Sequence, residues 1–460
     1  MEKAKILFTT DEKVKKSDQL KRFVKNSSGS FAITLYDDEL LVIVKEIEVN
    51  KQSYEKVRML AGDISRDLSK REIKNATIDA NKLSDELSTL EQGSTVTAFV
   101  EGWHLGAYKF TTYQSKEKPF LTNLSFENDE NILDAIQTGK IRAEAVAFSR
   151  DLMNEVPNVL NPETFPTTLE STFANTDVKV NVLNEEKLEE MEMNGLLAVC
   201  RGSKYAPRFV ELTYCGDASK PLVALVGKGV TFDTGGISLK AGRDLSDMRM
   251  DMGGAAAVSG AMHLLANSKA KVNVVALIPI VENMPDQKSL LPGEVIHYKN
   301  GHTVQVGNTD AEGRLILADG LIRAGELNAE YIVDIATLTG AIARALGSKL
   351  AGIFGDEDLL LDMKKIGDEN GDFTWPMPLV DAYDSYLNSD YADFSNISTK
   401  SEAGAITAGL FLRRFVPDHS KWIHIDMAGV MEGQESGYYA KSATGFGARL
   451  LADFTEYVSK

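Results

Sequence analysis

Seven charged residues stand in glycine-rich loops, where their types and spacing could support chemistry. They are Lys228, Asp233, Lys240, Asp251, Asp310, Glu312 and Arg314. Each of them taken singly has a structural explanation. Thr309 and Glu312 have the spacing of a helix capping box. Asp251 stands where it can cap a following helix, and Asp233 opens a turn sequence, Asp-Thr-Gly-Gly. Only their gathering at one place would indicate a site.

Four of the seven are carboxylates, and four carboxylates at one place repel one another unless a cation compensates their charge. These loops contain no His or Cys. A donor set of oxygen atoms favours Mn²⁺ or Mg²⁺, although Zn²⁺ also accepts oxygen ligands. Four acids carry enough charge for two ions about 3.5–4 Å apart that share a water molecule, as in two-metal hydrolysis. The residues therefore favour a binuclear hydrolase.

The loops lie in a part of the sequence where apolar strands alternate with helices. Strands are predicted in PLVALVG, KVNVVALIPIV, AEYIVDIA and WIHIDMAG, and helices in AAAVSGAMHLLAN, RLILADGLIRAGEL and TLTGAIARALG. This alternation predicts an α/β fold with a mostly parallel sheet covered by helices on both faces. Ligands of such sheets bind beyond the carboxyl ends of the strands, where these loops fall.

The N-terminal part has the pattern of a smaller α/β unit of its own. Residues 29–38 and 39–47 are predicted as neighbouring strands, 51–70 as an amphipathic helix, and 94–113 as a further strand pair. An Ala-rich helical stretch then ends where Pro157 stops helix propagation. The predicted organisation is an N-terminal α/β domain (1–130), a connecting helix (131–156) and a larger C-terminal catalytic domain (157–460).

The charge balance limits the classes of partner. The 460 residues include 50 Lys and Arg against 67 Asp and Glu, which gives a formal net charge of −17. Binding to a nucleic-acid backbone is driven by Lys and Arg, so nucleic acid is an unlikely partner. The first sixteen residues lack the pattern of a signal peptide, and Val272–Val281 is only about half a membrane span. We expect a cytoplasmic protein with no membrane partner.

Several of these segments carry a resemblance. NTDAEGRLILADGL (308–321) and VGKGVTFDTGGISLK (226–240) resemble the metal-binding motifs of the leucine aminopeptidase, or cytosol aminopeptidase, family. MRMDMGGAA, ATLTGA, WIHIDMAGVM and ATGFGARLL extend the resemblance over essentially all of residues 142–455. In the N-terminal domain, only EGWHLGAYKF is similar to the family. The resemblance implies an aminopeptidase that releases N-terminal amino acids from peptides, assembled as a homohexamer of two trimers.

The resemblance also implies a set of metal ligands. One divalent ion, Mn²⁺ or Zn²⁺, would be bound by Lys228, Asp233, Asp251 and Glu312, and the other by Asp233, Asp310 and Glu312. Lys228 can coordinate only as a neutral amine, so its pKa would have to be strongly depressed. The alternative is a salt bridge, which would leave Lys228 charged and outside the coordination sphere.

The same resemblance implies the catalytic residues. A metal-bridging hydroxide would attack the scissile carbonyl, and Lys240 would stabilise the oxyanion. Arg314 would hold a bicarbonate ion that serves as general base, with help from backbone groups of Ala311, Gly313 and Leu338. A surface ion pair on the helix is the alternative for Arg314.

A pocket for the substrate's first side chain is implied as well. The matching residues are Met248, Thr337, Gly340, Ala428 and Met431. Adaptable Met side chains suit Leu or Met at that position. The sequence departs from the family pattern at 287–294, before a Pro-Gly pair, and at Ser442, where Gly is frequent. These departures affect the expected loop shape and substrate preference, because neither includes a proposed ligand.

Two other classes of function are compatible with parts of the sequence. Some bacterial members of the family also act as DNA-binding architectural proteins, and a localised basic stripe would be needed for that role. A binuclear site can also hydrolyse a phosphoester instead of a peptide. A requirement for a free amine would separate a peptidase from a phosphatase.

Overall fold

The computed structural model describes residues 2–116, 119–128, 131–242 and 244–460. By the contacts within the chain it divides into two compact units. The first comprises Met1–Ala147 and Gly433–Ser442, and the second comprises Phe148–Glu432 and Ala443–Lys460. The predicted domain boundary at residue 130 falls outside the described residues, and 433–442 groups with the first unit although it was predicted in the catalytic domain.

The first unit is built on a five-stranded sheet with the order β2-β3-β1-β4-β5. Its strands are β1 Lys3–Phe8, β2 Phe31–Tyr36, β3 Glu39–Val44, β4 Asn75–Asp79 and β5 Asn123–Glu127, and its helices are α1 Glu12–Lys16, α2 Asp18–Asn26, α3 Tyr54–Lys70, α4 Ala80–Glu86 and α5 Gln92–Gly106. β2 and β3 are antiparallel neighbours, while β3, β1, β4 and β5 run parallel. Helix α6, Leu133–Asn154, follows and ends before Pro157.

The predicted strand pair at residues 94–113 is wrong, because most of this stretch is helix α5. Its β-branched residues suggested strands, but Glu91 caps the helix by accepting hydrogen bonds from Gly93 N and Ser94 N. Packing of this stretch against α3 explains why it is helical despite its β-branched residues. A Cβ atom at Gly102 would lie 2.3 Å from the carbonyl oxygen of Arg58, so α5 approaches α3 backbone to backbone. This contact requires glycines at helical spacing.

The second unit contains a nine-stranded sheet in the order β15-β14-β17-β13-β8-β10-β7-β6, with β9 paired to β10. Its strands are β6 Lys179–Leu183, β7 Arg208–Cys215, β8 Leu222–Gly227, β9 Gly229–Asp233, β10 Asn273–Asn283, β13 Tyr331–Ala336, β14 Ala351–Gly355, β15 Thr374–Pro376 and β17 Lys421–Asp426. A separate three-stranded sheet consists of β11 Val295–His297, β12 Thr303–Gln305 and β16 Phe394–Ser395. The helices of this unit are α7 Thr164–Phe173, α8 Glu185–Glu190, α9 Asn194–Cys200, α10 Gly253–Asn267, α11 Glu312–Glu326, α12 Gly340–Leu346, α13 Glu357–Asn370, α14 Gly404–Arg413 and α15 Ala448–Val458.

The predicted α/β fold with a mostly parallel sheet is confirmed. The four central strands, β17, β13, β8 and β10, are parallel and almost entirely buried, which explains their near-continuous apolar sequences. Antiparallel pairs occur where β14 joins β17, where β7 joins β10 and where β6 joins β7. The carboxyl ends of these parallel strands lie at one edge of the sheet. The residues that directly follow β8, β13 and β17 are Lys228, Thr337 and Met427. Among the described residues, no helix is both long and apolar enough to cross a membrane.

Candidate metal centre

The first loop of the site begins where β8 ends. Lys228 is 3% exposed, and its amide donates a hydrogen bond to the carbonyl oxygen of Ile335 at 3.1 Å. Helix α10 starts close by, because a Cβ atom at Gly254 would lie 2.0 Å from that same oxygen. Glycine therefore allows the start of α10 to approach the ends of β8 and β13.

The Lys228 side chain lies among oxygen atoms from three segments. Its Nζ is 2.8 Å from Asp251 Oδ2, 2.9 Å from Glu312 Oε1 and 3.1 Å from the carbonyl oxygen of Thr337. A Cβ atom at Gly313 would lie 2.7 Å from this Nζ, so glycine is needed there. Burial would lower the pKa of Lys228, but the neighbouring carboxylates outweigh it and raise that pKa. In this arrangement Lys228 forms salt bridges with Asp251 and Glu312, as in the alternative to metal coordination stated above. A role as metal ligand requires the neutral amine.

A second lysine lies between two other carboxylates. Lys240 Nζ is 2.8 Å from Asp233 Oδ2 and also contacts Asp310 Oδ1. These pairs raise the pKa of Lys240 against the opposing effect of burial. Its side chain is 15% exposed, compared with 4% for that of Lys228. Lys240 is therefore the more accessible of the two cations.

The carboxylates come close enough to share a cation. Oxygen atoms of Asp233, Asp310 and Glu312 lie within 4.8 Å of one another. Burial, with the charges of Glu312 and Asp251, raises the pKa of Asp233. Burial also acts to raise the pKa of Glu312, but Lys228 and Lys240 overcome it and hold that pKa below its usual value.

The charge of this cluster is not balanced by its lysines. Four carboxylates face two ammonium groups, so the fully ionised cluster has a net charge of −2. Glu312 Oε2 is buried and has no hydrogen-bond partner among the described residues. Oxygen donors with a negative charge excess fit divalent cations such as Mn²⁺ and Mg²⁺. The residues present therefore suit a metal centre.

Two of the structural alternatives are not formed. Ala311 precedes α11, while Thr309 Oγ1 donates to the carbonyl oxygen of Gly235 at 2.6 Å, so there is no capping box. Asp251 does not cap α10; its Oδ1 accepts from Thr337 Oγ1 at 2.7 Å. The third alternative is present, since Asp233 Oδ1 accepts from the amide of Gly235 at 2.8 Å. Turn chemistry and site geometry coexist at Asp233.

Arg314 lies in the first turn of α11 and points away from solvent. It is 5% exposed, which contradicts a place on the helix surface. Its Nη1 donates to the carbonyl oxygen of Asn396 at 2.9 Å, and its Nε has no hydrogen-bond partner among the described residues. Burial lowers the pKa of Arg314 to about 10, with Glu312 and Asp426 opposing the shift. The guanidinium thus remains charged at neutral pH.

The residues predicted around an anion and a substrate side chain lie on four segments. Ala311 and Gly313 flank the start of α11, Leu338 and Thr337 follow β13, Gly340 begins α12, and Ala428 follows β17. Thr337 Oγ1 donates its hydrogen bond to Asp251, as described above. The backbone amides of Leu338 and Ala428 both donate to Asp426 Oδ1. Met248 is buried in a 3-10 helix, Ser246–Met250, that leads to Asp251. Met431 is partly exposed, and its carbonyl oxygen accepts from the amide of Thr444 at 3.0 Å.

Two buried side chains that the sequence analysis missed connect these loops. Asn283, the last residue of β10, donates to Asp233 Oδ1 at 2.9 Å and to the carbonyl oxygen of Thr309 at 3.0 Å. Asp426, the last residue of β17, accepts from the amides of Leu338 at 3.2 Å and Ala428 at 3.3 Å. A polar residue directly after a buried apolar run was the signal that could have identified both.

A third missed residue, Asn396, lies just after the two-residue strand β16. It is fully buried, and its side chain bonds to the loop that carries Asp310. The sequence around it, DFSNIS, has no periodicity that would have indicated this position.

This chain is similar to known aminopeptidases. The catalytic-domain model of the cytosol aminopeptidase family matches residues 147–452. A probable cytosol aminopeptidase of Persephonella marina is 39% identical over 415 residues, which are 88% of this chain and 82% of the relative. One of Chlorobium limicola is 42% identical over 378 residues, which are 78% and 75% of the two chains.

A solved structure is similar over the whole chain. The bottromycin maturation enzyme BotP in complex with Mn has a TM-score of 0.90 and 29% sequence identity, and the match covers 100% of both chains. The predicted family is thereby confirmed. This chain belongs to the cytosol aminopeptidase family of metal-dependent aminopeptidases.

Proposed function

We propose that this protein is a binuclear aminopeptidase that releases Leu- or Met-like N-terminal residues from peptides. The observation that carries the proposal is the cluster of four carboxylates around two lysines, which has a net charge of −2 when fully ionised. Two divalent cations, Mn²⁺ or Zn²⁺, would be held there. Lys228, Asp233, Asp251 and Glu312 would bind one, and Asp233, Asp310 and Glu312 the other.

The bound cations would polarise the scissile carbonyl and make a hydroxide available for attack on it at neutral pH. The chain itself supplies the positive charge for the oxyanion. Lys240 is the accessible cation of the site, and its contacts with Asp233 and Asp310 keep it protonated and close to the carboxylates. A fixed charge in a partly buried site stabilises an oxyanion far better than one in water.

Arg314 supplies a second positive charge. Within the described part of the chain its guanidinium forms no ion pair with a carboxylate, and its Nε has no hydrogen-bond partner and is available to an anion. A bicarbonate ion would fit the planar guanidinium, with backbone groups of Ala311, Gly313 and Leu338 nearby, and would act as general base. The Leu338 amide already donates to Asp426, so Arg314 and the start of α11 would provide most of the binding.

The pocket for the first side chain would be formed by Met248, Thr337, Gly340, Ala428 and Met431. Two Met side chains can adapt to Leu or Met in the substrate. We also propose a cytoplasmic location and a homohexamer. A mass of six chains by light scattering would support the assembly, and a monomer at micromolar concentration would refute it.

The activity is tested with Leu-p-nitroanilide in the presence of Mn²⁺. We expect cleavage of this substrate and none of N-acetyl-Leu-p-nitroanilide, because the free amine would bind a cation. Resistance of both anilides, or hydrolysis of p-nitrophenyl phosphate in their place, would contradict the proposal.

A further inference from the structure

The small sheet β11-β12-β16 lies apart from the nine-stranded sheet and leads directly to the site. β16 runs parallel to β12, with Val304 opposite Phe394 and Gln305 opposite Ser395. The next residue, Asn396, continues the pairing, since its amide donates to the carbonyl oxygen of Gln305 at 3.0 Å. Asn396 is fully buried. The strand pairing thus places one amide side chain at a defined position.

That side chain uses its whole hydrogen-bonding capacity on a single loop. Asn396 Oδ1 accepts from the amides of Gly307 at 2.8 Å and Asn308 at 3.3 Å. Its Nδ2 donates to the carbonyl oxygens of Asn308 at 2.8 Å and Ala311 at 3.3 Å. An amide offers two donor hydrogens and two acceptor lone pairs, so all four are engaged. Residues 307–311 are therefore held at four points.

The backbone of the same residue reaches the other half of the site. The carbonyl oxygen of Asn396 accepts the Arg314 Nη1 hydrogen bond at 2.9 Å. The loop that Asn396 holds contains Asp310 and leads into Glu312. Carboxylate oxygens of these two acids and of Asp233 lie within 4.8 Å of one another. One buried residue thus contacts both the carboxylate loop and the arginine.

We propose that Asn396 is a positioning residue, which fixes the 307–311 loop and Arg314 in the geometry that binds the cations and the anion. This inference rests on the proposed function. Without Asn396, Asp310 would be on a loop that has lost these four hydrogen bonds and would sample other conformations. A role in stability alone is the competing explanation, and a matched variant separates the two.

Asn370 is the matched control. It is 3% exposed, its Nδ2 donates to Asp453 Oδ2 at 2.8 Å, and its Oδ1 accepts from the amide of Asp372 at 3.0 Å. None of these partners belongs to the proposed site. Replacing Asn370 with Ala removes a buried amide from the same unit without touching the 307–311 loop.

The experiment compares Asn396→Ala and Asn370→Ala with the wild type by Mn²⁺ titration calorimetry, kcat on Leu-p-nitroanilide, and melting of the metal-free protein. We expect both variants to melt earlier. Only Asn396→Ala should lose Mn²⁺ affinity and kcat, each by about 10-fold or more, as for other residues that orient metal ligands. Hydrogen exchange in residues 303–311 should accelerate in this variant alone.

Asn396→Asp is the second variant, because it keeps the shape and the two accepted bonds but loses both donated ones. It should show an intermediate loss of Mn²⁺ affinity. Equal Mn²⁺ affinity and kcat in Asn396→Ala and Asn370→Ala would overturn the inference, as would failure of both Asn396 variants to fold. A wild type that neither binds Mn²⁺ nor cleaves the anilide would instead refute the proposed function.

Discussion

The two large sheets of this protein both place acids at the carboxyl ends of parallel strands, but they treat these acids differently. In the five-stranded sheet, Asp79 ends β4 and accepts hydrogen bonds from the amides of Asn81 and Lys82 at the start of α4. Glu127 ends β5 and pairs with Lys5 at 3.2 Å, with both side chains about two-fifths exposed at 41% and 43%. Each acid has a local partner and access to water.

In the nine-stranded sheet the acids are buried and outnumber their partners. Asp233 and Glu312 are each 2% exposed, and Asp251 is 9% exposed. Burial is unfavourable for a charged group unless another charge compensates it. The difference teaches that position at a strand end alone does not identify a candidate metal centre. The distinguishing features are burial of the acids and a negative charge that neighbouring cations do not balance.

The most severe test of this comparison is a pair of Glu→Gln substitutions. Glu312→Gln removes a buried carboxylate shared by both proposed metal positions, and we expect Mn²⁺ affinity and kcat/KM to fall by at least about 100-fold. Glu127→Gln changes the same group in the other sheet and should leave both quantities within about 2-fold, because a surface ion pair contributes little. Calorimetry and anilide cleavage measure both. Similar losses in the two variants would break the comparison.

The next largest effect is expected at the lysines. Lys240→Gln should lower kcat by about 100-fold, the usual cost of removing an oxyanion-stabilising group, while Mn²⁺ still binds. Lys5→Gln, which breaks the ion pair with Glu127, should leave kcat unchanged. Steady-state kinetics with parallel metal titration distinguishes the outcomes. Loss of Mn²⁺ binding by Lys240→Gln would assign this lysine to ligand positioning instead.

The buried acids also predict a pH dependence. The pKa of Asp233 is raised from an ordinary value of 3.8 to about 8 by burial and by Glu312 and Asp251. A carboxyl group with a raised pKa binds a proton in the folded state that it lacks when unfolded. The metal-free protein should therefore lose stability as the pH rises from about 4 to about 8.

Mn²⁺ must displace that proton, which by itself should increase the Mn²⁺ affinity by up to about 10-fold per pH unit over the same range, and loss of a proton from Lys228 on coordination would add to this increase. Melting curves at pH 6 and pH 8, with and without Mn²⁺, measure both trends. Asp233→Asn should flatten the dependence of the metal-free protein. Mn²⁺ affinity that is equal at the two pH values would contradict the raised pKa.

The smallest effect is expected from the first sheet. Asp79→Ala removes an N-terminal cap from α4 and should lower the free energy of unfolding by about 1 kcal/mol. Mn²⁺ affinity and kcat should not change. Denaturant unfolding and anilide kinetics check the two statements, and a lower kcat would show that acids of the first sheet contribute to activity.

Much of this organisation could be predicted from local sequence. The strands β8, β10, β13 and β17 are long apolar runs, and burial on both faces produces that pattern. Helix α5 could not be recognised, because its glycines serve a contact with α3 that is distant in sequence. Local propensity does not carry such information.

The proximity of the charged residues was predictable to a similar extent. The resemblance pointed to the charged residues, and the structure brings Lys228, Lys240 and the four carboxylates together. Asn396 could not be found, because its role depends on β16 pairing with β12 about 90 residues earlier in the chain. Interactions that are distant in sequence leave no local pattern.

The most direct test of the account is a crystal of this protein soaked with Mn²⁺ and an aminopeptidase transition-state analogue. Anomalous scattering should show two peaks about 3.5–4 Å apart beside Asp233 and Glu312. The analogue should contact Lys240. Absence of any peak at the four carboxylates, in crystals of protein that cleaves Leu-p-nitroanilide, would contradict the account.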